Sequence, residues 1–255
     1  MKSTSAQRFA FVDYIRGFLV IAMVVYHAVY CFYSFSLVTV DLFTGFWWWF
    51  PRCIAAGFLL VSGWSLAASR DRGQTFKKAG RRMLKLAGLA LVVSLATYIT
   101  FGPQYFVFFG ILHSIAVASL LSWPLAAPAK KSRTSIVVSS ALILLGGALL
   151  AAGLWLGTKR FDFPWLAWLG FRPADLYPVD FEPLLPWLSW FVFGIALYPA
   201  SKGLSGSLAN TGAKPGLCKP MPAALAFLGR HSLIIYLAHL PALYGLAWLV
   251  SALRG

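Results

Sequence analysis

Long apolar runs, parted by short polar connections, dominate the chain. Seven of them reach or approach the roughly 20 residues a helix needs to cross a bilayer. Their positions predict helices over roughly 11–34, 46–68, 82–101, 105–126, 135–157, 184–200 and 223–251. The sixth is short and flanked by prolines. The runs are too long and too continuous for barrel strands, which alternate apolar and polar positions. A span must satisfy its own backbone hydrogen bonds, so the expected fold is all-α. It is a polytopic bundle of about seven spans, forming one domain over 1–255. No internal repeat is visible. The segment 161–183, "FDFPWLAWLGFRPADLYPVDFEP", reads as an interfacial or re-entrant loop, because Trp and Tyr favour the headgroup level. The Gly-, Ser-, Pro- and Lys-containing stretch 201–222 reads as a flexible loop.

Composition agrees with a membrane protein. Hydrophobic residues make up 60% and charged residues 11%, against about 25% charged in soluble domains. Mean hydropathy is +0.75. The net charge of +15 could suggest nucleic acid, but its distribution points to topology instead. Arg70, Arg72, Lys77, Lys78, Arg81, Arg82 and Lys85 follow the second run. Lys2 and Arg8 precede the first, Lys130, Lys131 and Arg133 follow the fourth, and Lys202, Lys214 and Lys219 follow the sixth. With alternating spans all four groups fall on one side, which the positive-inside rule makes cytoplasmic. Asp41, Asp162, Asp175, Asp180 and Glu182 fall on the other. The chain is expected to run N-in, C-out. Lys2 and Arg8 ahead of an apolar run resemble a signal peptide, but no small-x-small site follows, so that run reads as a retained first span. Three cysteines, at 31, 53 and 218, make no disulfide framework.

Ionisable residues within spans are rare and usually face a cavity or one another. Depth follows from the helical rise of about 1.5 Å per residue. His27 and His239 each lie about 24 Å along their helices, and His113 about 12 Å from its outer start. With Arg52, Asp180 and Glu182 they form an outer group. Asp13, Arg16, Arg230 and His231 form an inner one. Two readings of Asp13 and Arg16 stand: an i, i+3 pair on one helix face, or a site for an anionic ligand. His231 is read as a helix-to-helix hydrogen bond. His27, His113 and His239 are read as lining a polar outer cavity. Trp47, Trp48 and Trp49 are read as an aromatic belt.

Three histidines and a carboxylate could hold zinc. No H-x-x-x-H pair occurs, however, and no metal is expected. Neither a G-x-S-x-G nucleophile elbow nor a Walker motif is present. A histidine of ordinary pKa is a general base near neutral pH, and a carboxylate can orient it. The remaining chemistry is transfer of an activated group at the membrane.

Four stretches carry a resemblance. "VDYIRGFLVIAMVVYH" (12–27), "FFGILHSIAVASLL" (108–121), "YPVDFEPLLPWLSWFVFGIAL" (177–197) and "FLGRHSLIIYLAHLPAL" (227–243) resemble bacterial membrane proteins grouped with the catalytic domain of heparan-alpha-glucosaminide N-acetyltransferase. That family sits in a wider set of transmembrane acyltransferases. The resemblance implies acetyl-CoA, or another acyl-CoA, as a cytoplasmic donor with no tightly bound cofactor. It implies a sugar or glycan amine or hydroxyl as acceptor on the far side, an essential histidine, and a bacterial cytoplasmic membrane. His27 closes an R-G-x9-H pattern with Arg16 and Gly17. On this reading His27 is the base or acyl carrier, with Asp180 or Glu182 orienting it and His113 and His239 beside the acceptor. Arg16, Arg230 and Asp13 meet the donor, and Arg52 and Trp187 contact substrate. The expected partners are the bilayer, acyl-CoA, the glycan acceptor and a second copy of the chain, but no nucleic acid. The competing reading is a proton-coupled transporter or flippase of an anionic or sugar-linked solute. A third is a noncatalytic partner in a larger assembly.

Overall fold

The computed structural model describes residues 10–127, 132–174, 180–210 and 223–254. Its regular elements there are eight α-helices and one 3-10 turn. In chain order the helices are α1 (Ala10–Ser34), α2 (Gly45–Asp71), α3 (Phe76–Phe101), α4 (Ile111–Leu121), α5 (Ser132–Gly157), α6 (Leu184–Asn210), α7 (Ala223–Arg230) and α8 (Ser232–Arg254). Six of them, α1, α2, α3, α5, α6 and α8, are long and apolar enough to cross a membrane. The protein is an integral membrane protein with an all-helical fold.

The structure departs from the sequence reading at four places. The fourth run forms a helix of only 11 residues, entered through turns and bends. The seventh run is interrupted at His231, whose backbone N–H is shared between the Phe227 and Leu228 carbonyls. The His231 ring competes for Phe227 as well: Nδ1 donates to that carbonyl at 2.9 Å. Such back-bonding bends helices. The expected helix-to-helix bond of His231 is therefore a bond within its own turn. Third, α3 starts at Phe76, so Lys77 to Lys85 are helical residues rather than a connection. Lys and Arg are good helix formers whose stems can lie along apolar surface. Fourth, α6 continues to Asn210, where a loop was expected from 201. Lys2, Arg8, Lys130, Lys131, Asp175, Lys214, Cys218 and Lys219 lie outside the described residues, as do 211–222 of that loop.

Helix boundaries have local causes. Asp41 accepts from the Phe43 N–H (2.9 Å) and the Thr44 hydroxyl (2.5 Å) just ahead of α2. Those bonds, the Thr44 hydroxyl first, hold its carboxyl below the usual carboxylate range. A Schellman motif closes α2: Gly73, at φ +78°, donates to the Arg70 carbonyl and Gln74 donates to that of Ser69. The same motif closes α1, with Ser36 in the left-handed position at φ +57°. Leu185 is non-helical (φ −102°, ψ 124°) at the start of α6, as expected of a residue preceding a proline.

Two compact units divide the chain, one from 1–58 with 214–255 and the other from 59–213. In the first, α1 packs on α7 and α8. Close approach is possible because Gly17 faces the Leu225 backbone and Gly229 faces that of Asp13; a Cβ at either glycine would collide. Ala22, Met23 and Ile54 form a core with Tyr26, Phe50 and Tyr236 around it. In the second unit α3 packs on α4, and α6 on α4 and α5. Gly63 of α2 lies against the Phe191 backbone and Gly194 of α6 against that of Leu60. The loop after α5 holds a 3-10 turn, Ala167–Leu169.

Candidate active site

In the first unit, α1 and α8 bring His27 and His239 together. Their ring centroids are 4.8 Å apart, edge to face at 73°. Phe35 and Tyr244 meet further along the same two helices at 4.9 Å. His27 Nδ1 lies 2.9 Å from the Met23 carbonyl. His239 Nδ1 lies 2.6 Å from the Tyr236 carbonyl and 3.2 Å from that of Ile235. A carbonyl can only accept, so Nδ1 carries the proton in both rings. Both Nε2 atoms then hold lone pairs in the neutral rings. His239 is 6% exposed, and its Nε2 is buried with no hydrogen-bond partner among the described residues. Buried polar atoms are rarely left so. A lone pair of this kind is what a proton-abstracting or acyl-accepting site requires. Aromatic rings hold the pair: Tyr26 stands edge-on to His27 at 5.4 Å, and Tyr236 lies 5.7 Å from His239. The group that fixes the His27 tautomer is the Met23 carbonyl.

The other sequence-predicted residues of this unit lie elsewhere on the same helices and on α2 and α7. Arg52, on α2, donates to the Trp48 carbonyl at 2.5 Å, and its guanidinium lies 3.6 Å from the centre of the Trp48 ring. Trp48 therefore holds an arginine in addition to any belt role. The inner group gathers where α1 meets α7. Asp13 is buried, Arg16 is half-buried one turn later, and Arg230 is exposed at the end of α7.

The second unit places His113 with Asp180 and Glu182 at the start of α4. His113 is the third residue of that helix and reaches back to accept from the Gly110 N–H at 3.2 Å. This is the side-chain half of a capping box. Nδ1 is thus the acceptor, and Nε2 faces Ser94 Oγ at 3.4 Å. Ser94 in turn donates to the Val107 carbonyl at 2.6 Å, and the Val107 N–H donates to Thr97 at 3.0 Å. An Asp180 carboxylate oxygen lies 3.4 Å from the Ile111 N–H, where the helix dipole favours negative charge. The Glu182 N–H donates to the Phe109 carbonyl at 2.8 Å, and the Ser114 hydroxyl donates to the Glu182 carbonyl. The Asp180 carboxylate fills the place a Cβ would take at Gly110. Ser94, Thr97, His113 and the Glu182 N–H hold non-helical backbone at 107–110 in place, as required of irregular chain at membrane depth. His113 has both ring nitrogens engaged. Trp187 lies half-buried in the first turn of α6, five residues beyond Glu182.

Ser94, Thr97 and Ser114 were not singled out from sequence. The signal was there: Ser94 and Thr97 stand three apart, on one face of an otherwise apolar helix. Among the described residues no three His, Cys, Asp or Glu side chains come together to hold a metal ion.

The fold and site define an all-helical membrane protein with an imidazole pair on two of its apolar helices. A family model described as "Heparan-alpha-glucosaminide N-acetyltransferase, catalytic" matches residues 8–241. The chain belongs to that family of membrane acyltransferases. No curated protein and no solved structure matches it.

Proposed function

We propose that the protein transfers an acyl group, acetyl in the simplest case, from acyl-CoA to an amine or hydroxyl of a sugar or glycan. The observation that carries this reading is the His27–His239 pair, with both Nδ1 protons given to backbone carbonyls and both Nε2 lone pairs left for chemistry. His27 Nε2 takes the proton of the acceptor as its nitrogen or oxygen attacks the thioester carbonyl. The C–S bond breaks and the thiolate leaves with that proton. His239, beside it in the pair, shares the load of the transferred proton. In the carrier variant, Nε2 itself forms the bond to the acyl carbon and the acceptor then displaces it. Arg16 and Arg230 meet the donor phosphates, with Asp13 fixing the helix end between them. Arg52 is a substrate contact of the first unit and Trp187 one of the second, and Asp180, Glu182 and His113 hold the frame of α4.

The basic ends of the helices support an N-terminus in the cytoplasm, a donor drawn from that side and an acceptor outside. The membrane is then the bacterial cytoplasmic membrane. A second copy of the chain is a partner on this reading.

The test uses purified protein in nanodiscs with radiolabelled acetyl-CoA and a panel of amino sugars and glycans. Wild type is expected to bind saturably and release label onto an acceptor. His27→Ala is expected to keep binding and to lose turnover by at least about a hundredfold, the usual contribution of a general base. His239→Ala should lose less. Label held on wild-type protein without acceptor, and absent from His27→Ala, identifies the carrier route. Folded wild-type protein that binds no acetyl-CoA overturns the proposal in favour of transport.

A further inference from the structure

We propose that one face of α7, formed by Phe227, Arg230 and His231, holds the adenine nucleotide end of the acyl-CoA donor. This rests on the acyltransferase reading and names the part of the donor that the chain grips. α7 meets α1 where Leu225 lies against Gly17 and Gly229 against Asp13. Phe227 sits midway between Leu225 and Gly229 in the sequence, so it is turned about 200° round the helix from either. It faces away from α1 and is 53% exposed. Arg230, three residues on, is exposed too, and His231, four on, is half-buried. Residues three and four apart are neighbours on a helix surface, so the three side chains share one face.

The two rings on that face are held together. Their centroids are 4.2 Å apart and their planes 35° from parallel. The break at His231 fixes the arrangement. Its Nδ1 donates to the Phe227 carbonyl at 2.9 Å, and its N–H is shared between the Phe227 and Leu228 carbonyls. With Nδ1 carrying the proton, Nε2 of the neutral ring is an acceptor. One turn of chain thus presents an aromatic surface, an acceptor nitrogen of fixed tautomer and a guanidinium.

Those three groups match one ligand chemistry. A base stacks on an aromatic side chain through its π face. Adenine adds an exocyclic amino group that can donate to Nε2, and the phosphates beside it suit the Arg230 guanidinium. A phosphate alone would use Arg230 and leave both rings idle. An acyl tail would use Phe227 and leave an acceptor nitrogen in apolar surroundings, which is unfavourable. In acyl-CoA the base and phosphates lie at one end and the thioester at the other. Holding the first on α7 leaves the second free to reach along α1 toward His27.

The test compares donors that differ only at the nucleotide end. Full-length protein in nanodiscs is titrated with acetyl-CoA and with acetyl-phosphopantetheine, which carries the same thioester but no adenosine. The adenosine bisphosphate portion of CoA is a third probe, and all are read by competition against radiolabelled acetyl-CoA. Wild type should bind acetyl-CoA about tenfold or more tightly than the truncated donor, the worth of one base–aromatic stack. The adenosine bisphosphate should compete. Phe227→Ala should bring the two donors to similar affinity, and Phe227→Trp should keep them apart. Phe43→Ala, at an exposed ring ahead of α2, should leave the ratio as in wild type. Should Phe227→Ala fail to fold, Phe227→Leu, apolar but without a ring, takes its place. Equal binding of both donors by wild type overturns this proposal and leaves the acyltransferase reading standing. So does a ratio unchanged in the Phe227 variants with a lowered thermal midpoint, which would make Phe227 an interfacial anchor. Folded wild-type protein that binds neither donor overturns both.

Discussion

At the scale of single residues, the same side chain does opposite things in two places. His27 and His239 give Nδ1–H to carbonyls and keep Nε2 for chemistry. His113 accepts at Nδ1 and is bound into the α4 entry at both nitrogens. Type and depth make the three look alike in the sequence, and only their partners separate them. His113→Ala should therefore destabilise the protein by about 1–3 kcal/mol, the cost of leaving a buried N–H without its acceptor. His113→Gln should recover most of that loss, since Gln at the third helical position also reaches back to the cap N–H. Thermal midpoints and turnover, measured together, check this. A stable but inactive Gln variant would give His113 a chemical role instead. Ser36 offers a second residue-scale test. It holds φ +57° with a Cβ, a conformation that costs an L-residue roughly 1–2 kcal/mol. Ser36→Gly should raise the thermal midpoint without changing turnover.

At the scale of elements, regular helices were legible and broken ones were not. The predicted range 11–34 differs from α1 by one residue, and the range 135–157 ends with α5. The count to His27 ran along one helix of constant rise; the count to His239 crossed the break at His231 and still ended beside His27. The coupling of Asp180 to α4 was not legible. It runs through bent backbone at 107–110 and 180–182, where counting residues gives no distance. Helix pairing was hidden too, since it rests on which glycine faces which backbone. Gly63 and Gly194 let α2 and α6 approach until each backbone occupies the other's Cβ position. Gly63→Leu or Gly194→Leu should cost about 1–3 kcal/mol or more through overpacking, read as a lowered midpoint in detergent. Gly147→Leu, at a position open on the α5 surface, should change it little.

At the scale of the whole molecule, charge placement and helix length bear on one question: whether the chain crosses the membrane at α4. The 11 residues of α4 rise only about 16 Å, short of a hydrocarbon core of about 30 Å. The residues 103–110 ahead of it can add up to about 26 Å if extended, so helix and entry together are long enough. The Val107 backbone is bonded to Ser94 and Thr97, the Gly110 N–H to His113 and the Phe109 carbonyl to the Glu182 N–H, as irregular chain inside a bilayer requires of its backbone groups. Charge demands the crossing as well. The basic cluster after α2 and the one at 130–133 share a side only if the chain passes through between α3 and α5. The prediction is read by cysteine labelling in intact cells, in a chain whose native cysteines are replaced by serine. Gln104→Cys should react with an impermeant reagent from outside. Gln74→Cys and Lys131→Cys should react only after the membrane is opened. If Gln104→Cys and Lys131→Cys label from the same side, α4 dips and returns. The carboxyl half of the chain is then inverted, and the cations after α6 face away from those after α2. That pattern runs against the rule that basic ends stay together. It runs equally against the packing of Gly229 on the Asp13 backbone, which holds the arginines of α1 and α7 at one level.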